Sequence, residues 1–119
     1  METRRTFLQA AATVANTLAA QTSSPSATGM PTRPFGRTGL QVSIVGLGGW
    51  HIGFVKDDNE AIRIMHEAID NGLTFFDNAW DYHDGRSEEL MGRALAESGR
   101  RNKVFLMTKN CERDYAILL

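Results

Sequence analysis

Gly46-Leu47-Gly48-Gly49-Trp50-His51 follows the largely apolar run Val42-Ser43-Ile44-Val45, and the reading of this glycine-rich turn decides the fold. Val42 to Gly48 reads as one buried strand entering the turn. A doubly wound sheet should show its phosphate fingerprint in the first strand–helix turn, with glycine or alanine last, and His51 stands there instead. The next helix cap, Asp57, comes only after a further stretch of chain, so no helix N-terminus stands directly behind the glycines to receive a pyrophosphate.

Downstream, Asp57 and Glu60 form a capping-box pattern, Ile62, Met65 and Ile69 share one helical face, and Gly72 stands where a C-terminal glycine belongs. Leu73-Thr74-Phe75-Phe76 is a short β-rich run ending at Asp77, and Asn78 to Arg86 has loop composition. Ser87 is expected to cap a second helix with an apolar stripe of Leu90, Met91, Ala94 and Leu95, ended by Gly99 before a basic turn at Arg100-Arg101. Lys103 to Thr108 is a third strand, apolar enough to be covered on both faces. Upstream, Pro34-Phe35-Gly36-Arg37-Thr38-Gly39-Leu40 suggests a short hairpin.

Strand, helix, strand, helix, strand argues for a parallel α/β architecture with right-handed crossovers. Gly48, Asp77 and Lys109 fall at three C-terminal strand ends, where a (β/α)8 TIM barrel carries its functional groups. The expected fold is therefore the N-terminal portion of such a barrel, about three strands and two helices, and incomplete.

The 119 residues, 42% of them hydrophobic, leave room for one domain with an ordinary core and exclude a multidomain enzyme. Thirteen basic against 14 acidic residues give a net charge of -1, with no basic stripe for nucleic acid or an anionic membrane surface. One cysteine, Cys111, excludes an intramolecular disulfide framework and a cysteine-clustered zinc site. Residues 1–32 are read as leader and linker. Arg4-Arg5, then Phe7-Leu8 and small residues from Ala10 to Ala20, resemble a bacterial Tat export signal, and Thr13, Asn16 and Thr17 argue against a membrane span. The alternative is a basic extension and a cytoplasmic protein. Gln21 to Thr32 has linker composition, with Ala27 as one candidate cleavage position.

Asp77, Tyr82 and Lys109 are the residues singled out for chemistry. A phenol acts as a general acid only when something lowers its pKa, a neighbouring ammonium can do so, and a carboxylate would keep that ammonium charged and aimed. The spacing alone equally suits a surface ion pair beside an ordinary tyrosine. Asp81, His83 and Asp84 could be imagined as metal ligands, but read better as lining of a substrate loop. His51 could face the pocket, and His66 reads as a surface or packing residue on a helix. Cys111 lies near the pocket mouth without the partners of a nucleophile.

Gly46-Leu47-Gly48-Gly49-Trp50, Phe76-Asp77-Asn78-Ala79 with Tyr82, Ser87-Glu88-Glu89 with Gly92 and Leu95, and Val104 to Lys109 together resemble the aldo-keto reductases, from about Pro34 to Tyr115. The resemblance implies a (β/α)8 barrel that reduces an aldehyde or ketone with NADP(H), or in some members NAD(H), without metal. By it, Asp77, Tyr82 and Lys109 match three of four catalytic residues. Tyr82 would protonate the carbonyl oxygen, Lys109 would lower the phenol pKa, and Asp77 would pair with Lys109. Gly49, Trp50 and Asp77 are implied to lie beside the cofactor. The family's catalytic histidine and most of its cofactor-gripping residues have no position here, and Ala116-Ile117-Leu118-Leu119 departs from the helical start expected there. Residues 33–119 are thus read as a partial reductase domain, inactive in isolation, with a small carbonyl compound as partner. The alternative expectation is a non-catalytic remnant or interaction fragment of such an enzyme.

Overall fold

A computed structural model describes residues 28–113. The Tat-like signal, the linker as far as Ala27 with its candidate cleavage position, and the chain from Asp114 onward lie outside the described residues.

The chain enters through the expected hairpin, with β1 (Thr32–Pro34) antiparallel to β2 (Gln41–Ser43) and Thr32 opposite Ser43. The Phe35 N–H closes the loop onto the Leu40 carbonyl at 2.9 Å. The single buried strand expected from Val42 to Gly48 is instead two. The buried Ser43 hydroxyl donates to the Val45 carbonyl at 2.6 Å, while its backbone N–H donates to Thr74 Oγ1 at 2.8 Å. The chain therefore bends between the two sheets, leaving Ile44 and Val45 more than half exposed. Beyond the bend, β3 (Gly46–Gly48), β4 (Phe75–Asp77) and β5 (Phe105–Met107) form a parallel sheet in that order. Gly48, Asp77 and Met107 end it in register.

A short helix, α1 (Gly49–Phe54), starts directly on the glycines, where no helix N-terminus was expected, its ends held by tertiary bonds from Ser87 and Arg86. α2 (Asp58–Asp70) begins at Asp57, whose carboxylate accepts from the N–H groups of Asn59 and Glu60, and ends before Gly72 at φ 90°. The Glu60 side chain turns outward to Arg63 rather than back to the cap. α3 (Arg86–Ala96) does not start on Ser87: Gly85, at φ 88°, is its N-cap, and Ser87 is buried inside the first turn. It also stops short of Gly99, which instead opens a 3-10 turn at Arg100–Lys103.

Alternation along the strands gives the sheet two faces. On one, Phe76, with Leu47 and Leu106 beside it, meets Met65 and Ile69 of α2 and Leu90, Met91, Ala94 and Leu95 of α3. On the other, Phe75 and Phe105 stack with centroids 5.7 Å apart, and Phe35 of the hairpin covers them at 5.8 and 4.8 Å. A concavity of about 540 Å³ runs along this second face from Phe35 past Gly46 and Gly48 to Asp77. β5 is half-buried along its length, not covered on both faces as its composition suggested. Among the described residues no helix is long and apolar enough to cross a membrane.

Candidate functional site

Asp77 closes β4, and the backbone beyond it stays paired with the segment leaving β5. The Asn78 N–H donates to the Met107 carbonyl at 2.8 Å, and that of Trp80 to the Lys109 carbonyl at 3.1 Å. These two bonds bring Lys109 alongside the end of β4. Its ammonium donates to Asp77 Oδ1 and to the Asn78 carbonyl, the latter at 2.7 Å, and stands 5.1 Å from the centre of the Tyr82 ring. The Asp77 carboxylate, helped by Tyr82 and opposed by partial burial, holds the Lys109 ammonium above the usual lysine range. Lys109 is therefore a fixed cation throughout the physiological range. The three residues singled out from the sequence are thus one cluster at the C-terminal end of the sheet.

Tyr82 is presented by a tight loop. Its N–H donates to the Ala79 carbonyl at 3.2 Å, and His83, Asp84 and Gly85 follow with φ of 53°, 54° and 88°. Trp50 of α1 meets the Tyr82 ring edge-on at 5.3 Å and is 45% exposed, so it walls the open side of the cluster. Gly49 is buried, and a Cβ there would stand 2.2 Å from Asn78 Oδ1 and 2.7 Å from Ser87 Oγ. Gly48, by contrast, faces open space. An ammonium clamped by a carboxylate next to a phenol is an arrangement that can deliver a proton to an oxygen gaining negative charge.

Three residues take parts that the sequence reading did not assign to them. The Ser87 hydroxyl donates to the Gly49 carbonyl at 2.7 Å, fastening α1 to α3. Asn78, 1% exposed, satisfies its side chain on the Ala79 N–H and the Met91 sulfur while its carbonyl holds Lys109. His83 donates through Nε2 to the Trp50 carbonyl at 2.8 Å. The available signal was the spacing of Gly49 and Gly53, one helical turn apart, which opens one side of α1 to close approach.

The remaining candidates take other places. His51 is exposed, and His66 donates to the Ala94 carbonyl at 2.9 Å, binding α2 to α3. Asp81 accepts from the Cys111 thiol at 3.6 Å. Desolvation and that carboxylate push the thiol up, the opposite of an activated nucleophile. Among the described residues no group of three or more His, Cys, Asp or Glu side chains could hold a metal ion.

Residues 44–117 match the sequence profile of the Aldo/keto reductase family. Over 79 residues the chain is 47% identical to the uncharacterized oxidoreductase YrpG of Bacillus subtilis, covering 62% of this chain and 24% of that one. It is 41% identical over 76 residues to the aldo-keto reductase YhdN of the same organism, covering 60% and 23%. The chain thus spans about a quarter of the length of the curated relatives it matches. Among solved structures it resembles a Bacillus halodurans aldo-keto reductase in its holo form, at 34% identity and TM-score 0.62 over 73% of this chain and 28% of that one. It also resembles a Klebsiella pneumoniae aldo-keto reductase in complex with NADPH, at 35% identity and TM-score 0.53 over 59% and 24%. The described fold corresponds to part of the (β/α)8 barrel of such enzymes.

Proposed function

The chain belongs to the aldo/keto reductase family, and from that premise we propose that it supplies the proton-donating part of a carbonyl reductase that uses NADP(H). The observation that carries this reading is the Asp77–Lys109 pair beside the Tyr82 ring. Because the chain spans about a quarter of its relatives, the reaction is proposed for a complete barrel that contains it. The substrate is a small aldehyde or ketone.

The residues present fit a nicotinamide cofactor. Gly48 leaves open ground at the strand end, flanked by Asp77, and Trp50 follows it in the first turn of α1. When bound, the cofactor would supply the hydride equivalent that reduces the carbonyl carbon. The protein's own part is proton delivery and orientation. Tyr82 donates its phenolic proton to the carbonyl oxygen, and the phenolate left behind is stabilised by Lys109, which Asp77 and the Asn78 carbonyl hold in place. The Arg4-Arg5 leader is read as directing export of the folded protein.

The test is aldehyde-dependent NADPH oxidation by the protein purified from its own cells, with its intact mass recorded. Tyr82→Phe should lower kcat by about 10²- to 10⁴-fold and leave NADPH affinity nearly unchanged. Full turnover without the hydroxyl would remove Tyr82 from the role of acid, and the absence of any reduction by the unaltered protein would sink the reading.

A further inference from the structure

His83 occupies an unusual place. Its backbone is left-handed at φ 53°, a conformation histidine tolerates better than most residues, and this turns the imidazole away from solvent and onto α1. There Nε2 donates to the Trp50 carbonyl at 2.8 Å, while the ring lies 4.5 Å from the Trp50 ring, tilted by 33°, and 4.5 Å from the Phe54 ring, edge-on. Gly53 makes the approach possible, since a Cβ there would stand 2.1 Å from His83 Cδ2.

The two ends of α1 are fastened by other groups. Ser87 holds the Gly49 carbonyl, and Arg86 donates to the Val55 carbonyl at 2.8 Å. Neither of these bonds fixes the Trp50 ring. Trp50 is 45% exposed and its ring packs on Phe54, Tyr82 and His83, and of these His83 is the one whose side chain also grips the Trp50 backbone.

We propose that His83 is a positioning residue: it ties the loop bearing Tyr82 to α1 and so holds Trp50 edge-on to the Tyr82 ring, setting the width of the opening through which a carbonyl substrate reaches the phenol. Its consequence for substrate rests on the reductase reading above; its consequence for Trp50 does not. A carbonyl can only accept, so the proton is on Nε2, and replacing the imidazole by a side chain without donor or ring removes both the bond and the stacking surface. Because Ser87 and Arg86 still anchor α1, the helix stays while the indole is released.

The experiment has two arms. In the 119-residue chain carrying Trp80→Phe, Trp50 is the sole tryptophan, and acrylamide quenching of its fluorescence reports its freedom. His83→Ala should raise the quenching constant by about twofold, and Gly53→Ala, which pushes the imidazole off from the α1 side while favouring helix, should do the same with the far-ultraviolet circular dichroism unchanged. Unchanged quenching in both variants overturns the proposal. So does loss of helical signal in both, which would make His83 a folding element instead. If only one variant unfolds, the other decides.

In the purified reductase, His83→Ala should raise KM for the carbonyl by about three- to tenfold, as expected for losing an ordered aromatic wall, with kcat changed far less. A fall in kcat at constant KM would overturn positioning in favour of a direct part in proton transfer. A protein that reduces nothing even unaltered counts against the reductase reading alone, and the quenching arm still decides what His83 does to Trp50.

Discussion

Phe75 and Phe76 are neighbours in β4 and point to opposite faces of one sheet. Phe76 is fully buried among Met65, Ile69, Leu90 and Met91, inside a core assembled from residues nearby in the chain. Phe75 is half-buried, stacked on Phe105 and roofed by Phe35, along a concavity that leads to Asp77. The helix-covered face is closed by local β/α packing. The opposite face, the interior side in a closed barrel, holds the open ground at Gly48 and the acid Asp77. Stability and chemistry are thus assigned to opposite sides of three-residue strands, and substitutions in adjacent positions should separate them.

The largest contrast is expected at this pair. Phe76→Ala should cost about 3–5 kcal/mol, because it removes a fully enclosed ring and leaves a cavity between two helices and the sheet. Phe75→Ala should cost about 1–2 kcal/mol, mostly the lost ring contacts on a face already open to solvent. Urea unfolding followed by circular dichroism measures both. Equal losses would mean that the open face contributes as much to folding as the closed one, and the division would fail.

The same division separates how far each face could be read in advance. The apolar positions of α2 and α3 stood out because a covered helix repeats every three to four residues, and Met65, Ile69, Leu90, Met91, Ala94 and Leu95 do so. α1 did not, since six residues with two glycines carry no period, and its anchors are tertiary: the Ser87 hydroxyl, the Arg86 guanidinium and the His83 imidazole. Ile44 and Val45 misled for the reverse reason, as apolar residues exposed at a bend dictated by the Ser43 hydroxyl. At the site, residue chemistry singled out Asp77, Tyr82 and Lys109, but their meeting depends on backbone bonds from Asn78 and Trp80 to the segment after β5. Spacing does not encode such bonds, and family resemblance supplied what spacing could not.

Two adjacent glycines sharpen the comparison at smaller amplitude. A Cβ on Gly49 would press on Asn78 and Ser87, both buried, so Gly49→Ala should destabilise by about 1–3 kcal/mol. A Cβ on Gly48 meets nothing within 4 Å, so Gly48→Ala should change stability by less than about 0.5 kcal/mol. Its effect should appear instead as weaker NADPH binding by the purified reductase, because the methyl projects into the ground proposed for the cofactor. Thermal unfolding and a cofactor titration, run on both variants, distinguish packing from occupancy at positions one residue apart.

The smallest effects are electrostatic and should report the two faces at opposite ends of the pH scale. Asp58, on the helix layer, is held below the ordinary aspartate value of 3.8 by hydrogen bonds from Arg93 and Arg86, which tie α2 to α3. A carboxylate with a lowered folded pKa contributes stability above its unfolded value and loses it as pH falls through the folded one. Asp58→Asn should therefore melt lower than the parent at neutral pH, and the difference should close as pH falls through the lowered folded value of Asp58. Exposure and salt keep it small. Lys109, at the open face, is raised from 10.5, chiefly by Asp77, so its contribution is complete below that value and disappears as pH climbs through the higher folded pKa. Asp77→Asn should therefore melt lower than the parent at neutral pH, and the difference should close as pH climbs through the folded Lys109 value. If the Asp77→Asn difference instead persisted once Lys109 had lost its proton, the ion pair would not be what Asp77 contributes at the open face.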